Sequence, residues 1–414
     1  MIRLEKCLFL LPDRKTGRGT IEIDNGTIAN LELDESVEPE ILVMPGLVNA
    51  HGHTAMTLLR GYGGGLPLKR WLEEAIFPVE AKMTTAHVFA GARWGAMEML
   101  AGGTTAVADM YDFPADCERA FAETGIGSNT CRVGLNFVSG RLDECIGYVS
   151  RPSVDPKLQL RDFCVHSEYL TDEAFCRGMA EANRRLRRPV HLHLSETELE
   201  HRECLERHGM TPMRYLAGTG LLDHGGYAAH CVYCTDEDFE LMRELKVTLV
   251  HNPTSNLKLG SGIARIRRAM ELGVNVALGT DGCASNDDLD MFEEMRLASL
   301  LAKGVAKDPT ALSAWDVIEM ATVNGARALG RDDTGELAVG KRADLCVLDL
   351  KRLHLVPNLD AANLVVYCAH AADVIYTIVG GEVVYELGEF PRVDCNLAER
   401  EFRVAVGELF KGKE

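Results

Sequence analysis

Two rhythms of hydrophobic spacing divide the chain. Near both ends, apolar and polar residues alternate one for one, as on strands that bury a single face. Gly19 to Leu33 (GTIEIDNGTIANLEL) alternates around Asp24-Asn25-Gly26, a strong hairpin-turn signal. Ala343 to Leu350 and Val374 to Phe390 repeat the pattern, with Gly380-Gly381 as a second turn. These ends are expected to meet as one small β-sandwich domain built from residues 1–45 and 335–414.

Between them, short β-branched runs alternate with longer segments of helical period, the signature of repeated βα units and a parallel sheet. The strands predicted are Ile41 to Ala50, Thr104 to Met110, Cys131 to Val138, Asp162 to Ser167, Pro189 to Leu194, Tyr227 to Val232, Val247 to Asn252 and Asn275 to Thr280. Helices are predicted over Thr84 to Leu100, Thr171 to Arg188, Thr235 to Leu245 and Asp288 to Leu301, several opening on an N-cap residue. A last helix, Ser313 to Leu329, opens with the Ser313/Asp316 spacing of a capping box. Eight βα repeats predict an α/β fold of (β/α)8 TIM-barrel type over residues 46–334. The alternative, a doubly wound open sheet, lacks its phosphate loop: Gly61 to Pro67 (GYGGGLP) has neither the lysine nor the spacing.

Composition narrows the function. A formal charge of −18 opposes a protein that works by neutralising phosphate backbones, so no nucleic-acid partner is expected. The N-terminal apolar run, Cys7 to Leu11, is too short for a secretory signal, and no stretch is long enough to cross a bilayer. Thirteen cysteines in a large chain of this kind suit reduced thiols in the cytoplasm, most of them acting as small buried hydrophobes.

The chemistry stands at strand ends. The stretch VMPGLVNAHGHTAM ends a buried run in His51 and His53, and residues two apart on a strand face the same way, as two ligands of one metal would. In barrel enzymes the reaction takes place at the carboxyl ends of the strands. His193 ends the fifth predicted strand (PVHLHLSET), His230 the sixth (YAAHCV), and Asp281 follows the eighth (NVALGTDG). Each alone has an ordinary structural explanation, such as a satisfied core histidine or a helix cap. Independent core residues have no reason to converge on one barrel mouth. Imidazole and carboxylate donors suit zinc, iron or similar ions. The ligand set is His51, His53, His193 and Asp281, which leaves His230 to polarise water or hold substrate.

At these residues the chain resembles the amidohydrolase superfamily, and within it the branch of S-adenosylhomocysteine and 5-methylthioadenosine deaminases. The resemblance runs through MPGLVNAHGHTAMTLLRG, HLHLSETELE, AAHCVYCTDEDFELM, HNPTSNLKLGSGIA, GTDGCASNDDLDMFEEM and GELAVGKRADLCVLD, nearly the whole sequence. It implies a distorted (β/α)8 barrel with one divalent metal per subunit, zinc ahead of iron or manganese. Two-metal members carry a modified lysine at the end of the fourth strand, where this chain reads DFCVHSEYL. The resemblance also implies that Glu80 takes the ribose hydroxyls, that His166 and Ser285 face substrate, and that Glu196 is the acid beside the base. It puts Arg132 and Arg141 at the 5′ end of the substrate, from the same or a neighbouring subunit of a dimer or tetramer.

The activity implied is hydrolytic removal of the 6-amino group of an adenine nucleoside: S-adenosylhomocysteine, 5-methylthioadenosine, 5′-deoxyadenosine or adenosine. Glu196, His230 and Asp281 would be its catalytic residues, with Glu196 and Asp281 also touching substrate. Guanine or cytosine deamination and triazine hydrolysis are the rivals within the superfamily, and a catalytically silent barrel scaffold is the rival outside it. A different zinc-deaminase signature, H-x-E followed by P-C-x-x-C, is approached by His166-Ser-Glu168 and Cys231-Val-Tyr-Cys234. It lacks the proline and leaves His51, His53 and Asp281 unused.

Overall fold

The computed structural model describes residues 1–411, so the last three residues of the expected composite unit lie outside the described residues. The two chain ends form one continuous seven-stranded sheet, the form that the expected sandwich takes. It comprises Ile2–Leu11, Lys15–Asp24, Thr27–Leu33, Ile41–Pro45, Leu345–Asp349, Val374–Val379 and Glu382–Glu386. The sheet curls until its two predicted turns touch: a Cβ on Gly381 would lie 2.7 Å from the Cα of Gly26. Phe9, Ile21, Ile28, Val43, Val347 and Ile378 pack on the inside of this curl.

Eight parallel staves form the barrel: β1 (Leu47–Gly52), β2 (Thr104–Tyr111), β3 (Gly127–Arg132), β4 (Gln159–Arg161 with Phe163–Cys164), β5 (Val190–Leu194), β6 (Gly226–His230), β7 (Val247–His251) and β8 (Val276–Leu278). Hydrogen bonding runs unbroken along β1 to β3 and Gln159–Arg161, and again from Phe163–Cys164 through β8. A bridge between Gly52 and Asp281 closes the circle between β1 and β8. The other interruption falls at Asp162, inside β4. Its N–H still donates to the Thr130 carbonyl (3.0 Å), and its buried carboxylate accepts hydrogen bonds from Asn129 (2.6 Å), Arg188 (2.8 Å) and Tyr227 (2.9 Å), so side chains reinforce the barrel where the ladder is interrupted.

Four predicted elements differ from the observed ones, each for a local reason. The first predicted strand breaks at Gly46: residues before it pair in the terminal sheet and residues after it pair with β2. A Cβ on Gly46 would lie 2.2 Å from the Thr105 side chain, so only glycine fits this crossing. The third strand was expected over Cys131 to Val138 and instead spans Gly127–Arg132, because polar Ser128, Asn129 and Thr130 are buried there in strand pairing. The fourth, expected over Asp162 to Ser167, starts earlier and ends at Cys164, broken into the two pieces of β4 at Asp162, whose side chain is held by Asn129, Arg188 and Tyr227. The last helix divides into Ala314–Ala321 and Val323–Ala328 at Thr322, whose hydroxyl donates back to the Ile318 carbonyl at 2.6 Å, a contact that bends helices.

The C-terminal helix Cys395–Leu409 packs on the barrel helix Thr85–Ala101, stacking Phe402 on Trp94. All thirteen cysteines are free thiols, and eleven are buried. No helix among the described residues is long and apolar enough to cross a membrane.

Candidate active site

The carboxyl ends of β1, β5, β6 and β8 bring His51, His53, His193, His230 and Asp281 together. One ligand atom from each of His51, His193, His230 and Asp281 lies within 4.8 Å of the other three. His53 completes the group, its Nε2 being 3.2 Å from Asp281 Oδ1 and 3.3 Å from His193 Nε2. The backbone turns sharply at two of these strand ends. His230 (φ 73°) and Asp281 (φ 63°) adopt the left-handed region, a strain that histidine and aspartate tolerate better than most residues.

Hydrogen bonding outside the cluster fixes where the imidazole lone pairs point. His53 Nδ1 donates to the Met110 carbonyl (2.7 Å), and His193 Nδ1 to the His166 carbonyl (2.8 Å). His230 Nδ1 donates to the amide oxygen of Asn256 (2.8 Å). Their Nε2 atoms therefore face inward as acceptors. His51 Nε2, 3.4 Å from Asp281 Oδ1, is buried and satisfies no hydrogen bond. Acceptors gathered around a carboxylate repel one another unless a cation lies between them, so the donor set fits a divalent metal.

Protonation follows the same logic. Burial pushes His51 down to about 4 and His193 well below the usual histidine range, leaving both neutral. Burial also acts against charge on His53, but the adjacent Asp281 outweighs it and lifts this ring to about 9, so its Nε2 can hold a proton against Asp281, the proton that a cation between them would displace. Burial alone would raise the Asp281 carboxyl, yet His51 and His53 hold it well below the carboxylate range. Its second oxygen accepts hydrogen bonds from Ser255 (2.6 Å) and Ser285 (2.8 Å).

Above the cluster opens a cavity of about 430 Å³, large enough for a small molecule. Glu196, His166 and Glu80 line it with His53, His193, His230 and Asp281. Glu196 Oε2 is 3.7 Å from His230 Nε2, and its Oε1 accepts from Ser261 at 3.2 Å. Burial raises its pKa. Glu200 accepts the backbone N–H groups of Ser195 (2.8 Å) and Glu196 (2.7 Å), which fixes the loop carrying Glu196. Glu80 accepts a 2.7 Å hydrogen bond from Tyr111, and burial raises its pKa as well.

Two sequence-predicted substrate residues, Ser285 and Arg132, lie outside the cavity wall. Ser285 is buried beneath Asp281 and does not line the cavity. Arg132 also stays out of the wall, while Arg141 lines it. Both guanidinium groups are paired with Asp112 and Glu144.

Sequence reasoning passed over several supporting residues. His191 Nε2 is 2.7 Å from His51 Nδ1, so it accepts from His51 once Nε2 of that ring is a ligand. The period-two rule that singles out His51 and His53 applies equally to His191 and His193, and would have found it. Ser255, Asn256 and Ser261 lie in or beside a short helix and its loop, where no periodicity marks them.

A sequence model of the amidohydrolase family matches residues 42–384. The chain belongs to the amidohydrolase family. Among similar amidohydrolases, a 5-methylthioadenosine/S-adenosylhomocysteine deaminase of Acetivibrio thermocellus is 42% identical over 375 residues, covering 89% of this chain and 86% of the relative. A 5′-deoxyadenosine deaminase of Methanosarcina barkeri is 41% identical, covering 89% of this chain and 88% of its own. The crystal structure of an adenosine deaminase from Xanthomonas campestris with bound zinc superposes with a TM-score of 0.92 at 33% identity, over 98% of both chains.

Proposed function

We propose that this amidohydrolase is a metal-dependent deaminase of adenine nucleosides, converting the 6-amino group to the inosine-type product and ammonia. The observation that carries the reading is a cluster of inward-facing side chains that calls for a cation, opening onto a cavity whose wall holds a buried carboxyl, Glu196, with its pKa raised by burial. The names of the similar proteins support the adenine nucleoside as substrate and zinc as the metal.

His51, His53, His193 and Asp281 would hold the metal, and His230, whose ring nitrogen lies within the same close group of donor atoms, faces it from the side of Glu196. When bound, such an ion supplies Lewis acidity that brings the pKa of water to about 7. The remaining work falls to the chain. Glu196 delivers its proton to ring nitrogen N1 as water attacks C6, a role that burial favours by raising its pKa. Asp281, oriented by Ser255 and Ser285, takes the proton of the attacking water and passes it to the departing amine. His230, held by Asn256, orients the attacking oxygen. Glu80, braced by Tyr111, accepts the ribose hydroxyls.

The test is a panel of adenosine, 5′-deoxyadenosine, 5-methylthioadenosine, guanine, cytosine and melamine, given to protein of measured metal content. Ammonia release with the ultraviolet change of adenine to hypoxanthine, confined to the nucleosides, is the expected result. Turnover of only guanine, cytosine or melamine, or of nothing by metal-replete protein, overturns the proposal.

A further inference from the structure

We propose a second metal site, away from the barrel mouth, at which His354, His370 and Asp373 take a zinc-like divalent cation. None of the three lines the active-site cavity, and the site stands whether or not the nucleoside reading holds.

The donors come from two turns of the excursion that joins strand Leu345–Asp349 to strand Val374–Val379. His354 lies on the turn Leu353–Leu355, anchored by the buried Leu355. His370 caps the turn Ala371–Asp373, which runs straight into the second strand. One ligand atom from each of His354, His370 and Asp373 lies within 4.8 Å of the other two. Asp373 Oδ2 is the hub, 2.8 Å from His354 Nε2 and 3.7 Å from His370 Nδ1. It also accepts the His370 backbone N–H at 2.9 Å, and its side chain is only 4% exposed, so the carboxylate is fixed before any ion arrives.

A capping turn accounts for the backbone contact between His370 and Asp373. It does not account for two imidazoles, brought from different turns, whose ring centroids lie 5.2 Å apart beside one carboxylate. Donors bound tetrahedrally to a zinc ion lie about 3.3 Å from one another. The two separations from Asp373 bracket that value, so shifts of about half an ångström bring either imidazole into place. Both rings are free to make them, being 45% and 53% exposed.

Binding exchanges a proton for the ion. His354 Nε2 donates its hydrogen to the Asp373 carboxylate; the cation takes that place and the proton leaves to solvent. The competing charge is Arg352, whose Nε is 3.9 Å from Asp373 Oδ1 but 3.4 Å from Asp349 Oδ2, so Asp349 can keep it. Two imidazoles and one carboxylate suit zinc, nickel or copper(II) over calcium and magnesium, which ask for oxygen donors, and water completes the coordination on the exposed side. The bound ion clips one turn to the other and so closes the loop that carries helix Ala361–Tyr367.

The test is equilibrium dialysis of the zinc-loaded enzyme against graded zinc, with metal analysis and amide exchange on the same samples. We expect a second zinc per chain with a Kd at or below about 100 µM, held in the presence of excess calcium. His354→Gln and His370→Gln, both changes at exposed rings, should weaken that zinc at least about tenfold and leave the first one bound. His224→Gln, at a half-buried histidine of a different turn, should leave both. Zinc should slow amide exchange across the two turns in the wild type and not in the first two variants. The proposal is overturned by a single zinc per chain that both of those variants retain, by a second zinc that both hold within about twofold of the wild type, by equal weakening in His224→Gln, or by slowed exchange that the variants share.

Discussion

Glu196→Gln separates proton delivery from every other duty of this side chain. The amide has the volume of the carboxyl, keeps an oxygen for the Ser261 hydroxyl, and leaves the Glu196 backbone N–H on Glu200 untouched. It stays neutral where burial already disfavours the charged carboxylate, so Tm should hold or rise slightly. It has no acidic proton for N1. Loss of a positioned general acid costs about 100- to 10,000-fold in kcat, or about 2.7–5.5 kcal/mol of barrier. Substrate contacts survive, so KM should stay within about threefold, and bound metal should be unchanged because Glu196 meets His230 rather than the ligand set. Steady-state kinetics with 5-methylthioadenosine, run beside metal analysis of the same preparation, read all three quantities. A loss that falls in KM with kcat intact would make Glu196 a binding residue. Full activity would remove it from the reaction, and loss of metal would make it part of the cation's support.

Two further variants test the surroundings. His191→Leu removes the buried acceptor opposite His51 Nδ1 and should weaken metal affinity about 10- to 100-fold, as loss of a ligand's orienting partner does; His191→Gln, which keeps an acceptor, should recover much of it. Competition with a chromophoric chelator measures this, and unaltered affinity in the leucine variant would show that His191 does not orient His51. Glu294, buried where it accepts from Asn286 (2.6 Å) and Thr254 (3.3 Å), is pushed by burial up to about 8. A folded-state pKa above the unfolded value gives stability that is complete below the unfolded pKa and is lost as pH rises through the folded one. The wild type should therefore lose up to about 1.4 kcal/mol per pH unit between roughly pH 4.5 and 8 relative to Glu294→Gln. Urea melts of both proteins across that range provide the check, and a constant difference refutes the assignment.

Periodicity and chemistry reached far into this molecule because both act locally. Alternation marked the terminal strands and the Asp24-Asn25-Gly26 turn, which forms between Lys15–Asp24 and Thr27–Leu33. Strand ends carrying His51, His53, His193 and Asp281 pointed to the mouth where those residues gather, since in a parallel barrel every stave delivers its last side chain to one rim. Where buried polar residues replaced apolar ones the pattern misled: Ser128, Asn129 and Thr130 fell outside the expected strand, while the apolar stretch after them became cavity wall.

The linear sequence thus determined the repeat, the staves and the residue types at their ends. It could not determine the partners that reach those residues from far along the chain. Asn256 on His230 and Ser255 on Asp281, each 26 residues apart, are set by the packing of neighbouring βα units, which joins segments with no shared period.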